Sequence, residues 1–133
     1  MFHTARNFFA LAQLAIAEYL AGHGAEHHLR GLRQRYRGQV ADYSCSIAKH
    51  FPAGTKVTRP TGGHLLWVEL PEQVDALQLA RRALKVGIGI MPGHVFAPGE
   101  RYQNCFRLNC GFALDDRLES KVADLGQMVG RAM

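Results

Sequence analysis

One seven-residue segment, His64–Leu70, most restricts how this chain can fold. It is rich in branched and aromatic residues and is followed by Pro71, a pattern typical of a β-strand. Side chains alternate along a strand, so its two faces consist of Leu66, Val68 and Leu70 and of Leu65, Trp67 and Glu69. Because both faces are largely apolar, we predict that this strand lies in the interior of a sheet.

The remaining chain alternates between helical and extended patterns. An apolar stripe at helical spacing predicts a first helix over Phe8–Leu20, ended by Gly22 and Gly24. A second, long helix starts near Glu26 and runs to about Lys49. Further strands are predicted at Thr55–Arg59, Ile88–Met91 and Cys105–Cys110. Further helices are predicted after Asp75 and after Asp115 or Asp116, with Glu119 closing a capping box with Asp116.

This order of elements predicts an α+β fold. We expect a small, mainly antiparallel sheet of three or four strands, covered by helices on one face and preceded by the long helix. Residues 1–133 would form one domain, with a helical segment at 1–50 and a sheet-and-helix core at 55–133. A chain of 133 residues is too short for two domains of usual size.

Charge and cysteine content restrict the compartment. The net charge is only +5, and three cysteines are an odd, sparse set that does not indicate a secreted disulfide scaffold. No run reaches the roughly 18 to 20 apolar residues of a membrane span. We therefore expect a cytoplasmic protein with no membrane partner.

The last strand carries a charged residue where a charge is costly. Alternation along it gives one face with Phe106, Leu108 and Cys110 and another with Cys105, Arg107 and Asn109. An arginine within a sheet needs an anion, and its planar fork suits a carboxylate. Arg107 could bind a ligand carboxylate, with Asn109 adding a donor, or form a structural ion pair with Glu69.

Other candidate groups are weaker. His23 and His27 have the spacing of a metal pair on a continuous helix, but the flanking glycines are expected to interrupt that helix, so we predict no metal site. The long helix carries an arginine cluster that could bind phosphates or form a solvated basic face: Arg30, Arg33, Arg35 and Arg37. The loop from Pro92 to Phe96 follows a strand end, where ligand walls are common.

Three segments in order resemble a known family. They are Pro60–Pro71 (PTGGHLLWVELP), Gly87–Phe96 (GIGIMPGHVF) and Asn104–Gly111 (NCFRLNCG). Together they resemble the C-terminal small domain of fold type I pyridoxal-phosphate-dependent aminotransferases. The ending of the third segment is most similar to the aminotransferase-like half of GntR-family (MocR-type) transcriptional regulators.

The resemblance implies specific roles. Arg107 would bind the α-carboxylate of an amino-acid substrate or effector. Pro92, Gly93 and Phe96 would line the substrate pocket, and we add Asn109 to that wall from its place beside Arg107. The intact protein would use pyridoxal 5'-phosphate, would be a homodimer, and would contact DNA only through an N-terminal winged-helix domain.

In that family the Schiff-base lysine and most phosphate ligands lie upstream of the region matched here. We therefore expect a missing large domain to be the partner, and we expect this chain alone to bind no cofactor and to have no activity. Two alternatives stay open. The chain could belong to a free-standing aminotransferase, or it could be a small basic nucleic-acid-binding module.

Overall fold

The computed structural model describes residues 23–59, 63–97, 99 and 101–133. The predicted first helix and residues 60–62 lie outside this part of the chain. The described helices are α1 (His23–His50), α2 (Ala76–Lys85) and α3 (Asp116–Arg131). The strands are β1 (Lys56–Thr58), β2 (Leu65–Glu69), β3 (Met91–Pro92) and β4 (Cys105–Asn109). None of these helices is long and apolar enough to cross a membrane.

The chain divides into two compact units, residues 1–35 and residues 36–133. In the first unit the described part is the beginning of α1, where Arg30, Arg33 and Arg35 are exposed. The predicted interruption at Gly24 is wrong, because Gly24 lies within α1. A single glycine costs a helix about 1 kcal/mol, which good helix formers on either side can offset. Across the described residues, no three His, Cys, Asp or Glu side chains come together as a metal site.

The second unit contains a four-stranded sheet in the order β1-β2-β4-β3, in which every neighbouring pair is antiparallel. The predicted α+β fold is confirmed. β2 lies between β1 and β4, as its two apolar faces indicated. β3 lies at the edge of the sheet. Pro92 has no backbone N–H to donate, and an edge strand tolerates that loss.

One face of the sheet carries the hydrophobic core. Leu66 and Val68 of β2 and Phe106 of β4 are completely buried there. The helices cover them with side chains that recur at helical spacing, namely Val40, Tyr43 and Ile47 of α1, Leu79 and Ala83 of α2, and Val122, Leu125 and Val129 of α3. The other face holds the odd-numbered residues of β2 and β4, and none of the three described helices packs its core residues there.

The strand predicted at Ile88–Met91 is wrong in its position. The amide of Ile88 donates instead to the carbonyl oxygen of Ala83 at 2.9 Å, and that of Gly87 donates to Leu84 at 3.1 Å. These bonds satisfy the carbonyl groups at the end of α2, so the chain cannot pair with the sheet until Met91. The strand consists of Met91 and Pro92, opposite Arg107 and Phe106.

The predicted capping box at Asp116 and Glu119 is also wrong. Asp115 is the N-cap of α3, and its Oδ1 accepts a hydrogen bond from the amide of Leu118 at 2.8 Å. The cap therefore lies one residue earlier than a box with Glu119 requires. Glu119 points toward the end of α1, where its Oε1 is 3.7 Å from Nε2 of His50.

We expect Asp115→Ala to destabilise the first turn of α3 by about 1 kcal/mol, because one amide loses its acceptor. Asp116→Ala is the matched control and should cost less than about 0.5 kcal/mol. Hydrogen exchange of the Leu118 amide in the intact protein would measure both. Equal effects of the two substitutions would contradict the assignment of the cap.

Candidate functional site

Arg107 lies in the middle of β4, on the face that points away from the helices. Its neighbours across the sheet are Trp67 on β2 and Met91 on β3. The side chain is half-buried, whereas Phe106 before it is fully buried in the core. The prediction that Arg107 leaves the core is confirmed, because strand alternation settles it once the register is fixed.

The alternative of a structural ion pair with Glu69 is not the arrangement that we observe. Glu69 is exposed and lies opposite Cys105, not opposite Arg107. Among the described residues, Arg107 forms no ion pair with a carboxylate. The guanidinium carbon lies instead over the ring of Phe96, 4.7 Å from its centroid. A half-buried cation that meets no acid in the described part of the chain is a site where an anionic ligand would be favoured.

Phe96 belongs to a group of three aromatic side chains beside this arginine, together with Trp67 and Tyr102. The Trp67 ring meets that of Phe96 edge-on, with centroids 5.8 Å apart, and that of Tyr102 at 5.3 Å. Sequence reasoning missed Trp67 and Tyr102 as part of the site. Alternation grouped Trp67 with Leu65 and Glu69 without showing which face of β2 is the outer one, and the pairing of Trp67 with Arg107 settles it. Tyr102 gave no local signal, since it lies in a loop.

The loop after β3 brings Phe96 to the arginine. Gly93–Val95 form one 3₁₀ turn, and the amide of Phe96 donates to the carbonyl oxygen of Gly93 at 3.0 Å. A Cβ atom at Gly93 would overlap the Tyr102 carbonyl oxygen and lie 2.7 Å from Tyr102 Cβ, so only glycine allows this close approach. Pro92 and Gly93 are buried, and Phe96 is 43% exposed. Their role as a pocket wall stays a prediction.

The segment before β4 is hydrogen-bonded to Leu70, the residue that follows β2. Asn104 donates from its side chain to the carbonyl oxygen of Leu70 at 2.6 Å, and the Leu70 amide donates to the Asn104 carbonyl oxygen at 2.8 Å. Tyr102, two residues before Asn104, has a φ of +65°, a left-handed conformation that residues other than glycine rarely adopt. The surrounding contacts must offset about 1 to 2 kcal/mol of strain.

The loop is also attached to the start of α2. His94 Nε2 lies 3.4 Å from Oδ1 of Asp75, the residue that caps α2 by accepting a hydrogen bond from Leu77. This contact ties the middle of the 3₁₀ turn to a helix end. Phe96, two residues later, therefore extends from a turn that is anchored at both Gly93 and His94.

Asn109 lies on the same face as Arg107 but is exposed at the end of β4. Its Oδ1 accepts a hydrogen bond from the Gly111 amide at 2.8 Å. The side-chain oxygen is therefore used to close the turn after the strand. The amide nitrogen is the part of Asn109 left to act as a donor to a ligand, and this role stays a prediction.

The two cysteines of this region are protonated thiols. Burial, with a smaller contribution from the Glu69 carboxylate, raises the pKa of Cys105 on the Arg107 face. Burial raises the pKa of Cys110, on the core side, to about 12. Thiols that hold their protons at neutral pH are poor nucleophiles, so neither residue is suited to covalent catalysis.

We expect Cys105 and Cys110 to react with a maleimide at least about a hundredfold more slowly in the native protein than in urea, because both burial and protonation suppress attack. Peptide mass mapping after timed labelling at pH 8 would measure both rates. The unfolded protein is the internal control. Native rates close to the unfolded rates would show that this part of the core is open.

No protein-family model matches the chain. It is 38% identical over 121 residues to YjiR, an uncharacterized HTH-type transcriptional regulator of Escherichia coli K12, in a match that covers 91% of this chain and 26% of that protein. It is 31% identical over 123 residues to a 2-aminoadipate transaminase of Thermus thermophilus, in a match that covers 92% of this chain and 30% of the transaminase.

A solved structure has the same fold. The kynurenine aminotransferase of Pyrococcus horikoshii matches with a TM-score of 0.75 at 27% identity, over 86% of this chain and 28% of that chain. The present chain thus spans less than a third of the length of the proteins it matches. It is a homologue of HTH-type transcriptional regulators and of aminotransferases, and its fold is that of the C-terminal small domain of the fold type I aminotransferases.

Proposed function

We propose that this chain is the small domain of a larger pyridoxal-phosphate-dependent, aminotransferase-like regulator of the GntR family (MocR type). Within that protein, Arg107 binds the α-carboxylate of an amino-acid substrate or effector. The observation that carries this proposal is the position of Arg107. It is half-buried on the outer face of β4 and makes no ion pair with any carboxylate of the described residues.

The chemistry of arginine favours a carboxylate as the missing partner. The guanidinium is charged at every physiological pH, and its N–H groups match the two oxygens of a carboxylate in a bidentate contact. A half-buried cation is less well solvated than a free one. An anionic ligand would therefore gain more from Arg107 than from an exposed surface arginine.

The regulator assignment is supported by the 38% identity to YjiR. A second candidate, a fragment of a free-standing aminotransferase, is supported by the 31% identity to the Thermus transaminase. Arg107 has the same role in both. A helix-turn-helix domain that binds DNA in the full-length protein would support the regulator, and transamination without such a domain would support the enzyme.

The aminotransferase relatives imply pyridoxal phosphate, which supplies an electron sink for chemistry at an amino acid. The described residues fit the ligand side of such a site but not the cofactor itself. Lys49, Lys56 and Lys85 are exposed, and Lys121 donates to the carbonyl oxygen of Val86 at 3.0 Å. We therefore assign the cofactor to the large domain of the intact protein, and we expect that protein to be a cytoplasmic homodimer.

The test compares an α-amino acid with its carboxamide, which lacks the negative charge. The intact protein should bind the carboxylate at least about tenfold more tightly than the amide, since a charge-assisted contact contributes about 1.5 to 3 kcal/mol. Arg107→Ala should remove that preference. A preference that survives the substitution would show that another group binds the carboxylate.

A further inference from the structure

The guanidinium of Arg107 lies against an aromatic ring, and among the residues that the structure describes it pairs with no acid. Its carbon is 4.7 Å from the centroid of Phe96, within the range of a cation–π contact. Phe96 is 43% exposed, so it contributes little to the core. Because this large apolar side chain is partly exposed and lies next to a cation, we infer that its main role is the contact with Arg107.

The ring of Phe96 is fixed by contacts on two sides. Trp67 packs edge-on against it, with an angle of 69° between the ring planes and 5.8 Å between centroids. Trp67 is in turn held by Tyr102 at 5.3 Å and lies directly opposite Arg107 in the strand pair. The backbone of Phe96 is set by the turn that Gly93 allows. The ring is therefore positioned by β2 and by two loops, independently of the arginine side chain.

A guanidinium held in this way is prepared for a carboxylate. An aromatic ring attracts the cation through its face, whereas a carboxylate is bound through the N–H groups at the edge of the guanidinium. The two contacts therefore do not compete. Holding the arginine before the ligand arrives also reduces the conformational freedom that is lost on binding.

We propose that Phe96 is a positioning residue for Arg107, with Trp67 fixing the ring in place. Phe96 acts through the arginine, so its contribution goes to ligands that carry a carboxylate. This inference rests on the proposed function of Arg107. In this role Phe96 holds Arg107 in place, whereas a pocket-wall residue would contact the side chain of the ligand.

The experiment measures, in the intact protein, the preference for an α-amino acid over its carboxamide by calorimetric titration. Phe96→Leu removes the ring and should lower that preference about three- to tenfold, the size expected of a partly exposed cation–π contact. Phe96→Met is a second variant without a ring. Phe96→Tyr keeps the ring and should stay within about twofold of the wild type. Phe112→Leu makes the same change at a phenylalanine that is 69% exposed and should have no effect.

The arginine variant separates the two proposals. In an Arg107→Ala background, Phe96→Leu should change the preference no further. If Phe96→Leu and Phe96→Met keep the full preference, or if the loss persists without Arg107, the positioning role is wrong. If Arg107→Ala itself leaves the preference intact, the proposed function fails before Phe96 is considered.

Discussion

Phe106→Ala should lower the free energy of unfolding of the small domain by about 3 to 5 kcal/mol. Phe106, the second residue of β4, is completely buried between Val68 on one side and Pro92 on the other. Its ring lies 6.4 Å from that of Phe51, just beyond the end of α1. Truncation would leave a cavity. The strands paired to β4 on both sides would prevent the surrounding structure from collapsing into it.

Hydrogen exchange of the slowest amides in β2 and β4 of the intact protein would measure this loss. Phe112→Ala is the matched control, because that ring is 69% exposed and its removal should cost less than about 0.5 kcal/mol. A Phe106→Ala variant that costs no more than the control would mean that the core is not centred on β4. Loss of the Phe106 ring would also displace Arg107, the next residue, because the core and the site share β4.

Arg107→Ala should weaken binding of the amino-acid ligand by about 2 to 4 kcal/mol, which corresponds to roughly 30- to 1000-fold in Kd. The substitution would remove the proposed bidentate contact with the carboxylate, together with the positive charge in the middle of β4. Arg107→Lys keeps the charge without the planar fork, so we expect it to recover only part of the affinity.

Titration of the intact protein with the amino acid would measure these values. Arg117→Ala is the matched control, because Arg117 is exposed on α3 and should leave Kd unchanged within about twofold. Unchanged affinity in Arg107→Ala would refute the role of this residue. Equal losses in both arginine variants would indicate a general effect of positive charge.

Much of the fold could be predicted from local pattern. Alternation correctly grouped Leu66 and Val68 on a different face of β2 from Trp67, and it placed Arg107 on the face of β4 that leaves the core, because the side-chain period of a strand is fixed by its geometry. Asp75 was correctly placed as the cap of α2, since a short polar side chain before an apolar helical stripe has few other uses. Errors concentrated at element ends, as at Gly24, Ile88 and Asp116.

Those errors share a physical cause. Whether Ile88 extends a strand or closes a helix depends on which carbonyl group is near its amide, and both conformations are open to that sequence. Glu119 was close enough to Asp116 along the chain to suggest a capping box, but the end of α1 offers it His50. When a side chain has two possible partners, tertiary packing selects one of them, and a short stretch of sequence contains no information about that packing.

The sequence by itself determined that Arg107 would leave the core, that β2 would be an inner strand and that the chain would form a small α+β domain. Only the tertiary structure decided what Arg107 meets. The sequence offered Glu69 as a partner, whereas the contact with Phe96 depends on the pairing of β2 with β4 and on the turn at Gly93. Strand period is a local property of the backbone, whereas the partner of a side chain depends on contacts between segments far apart in the chain.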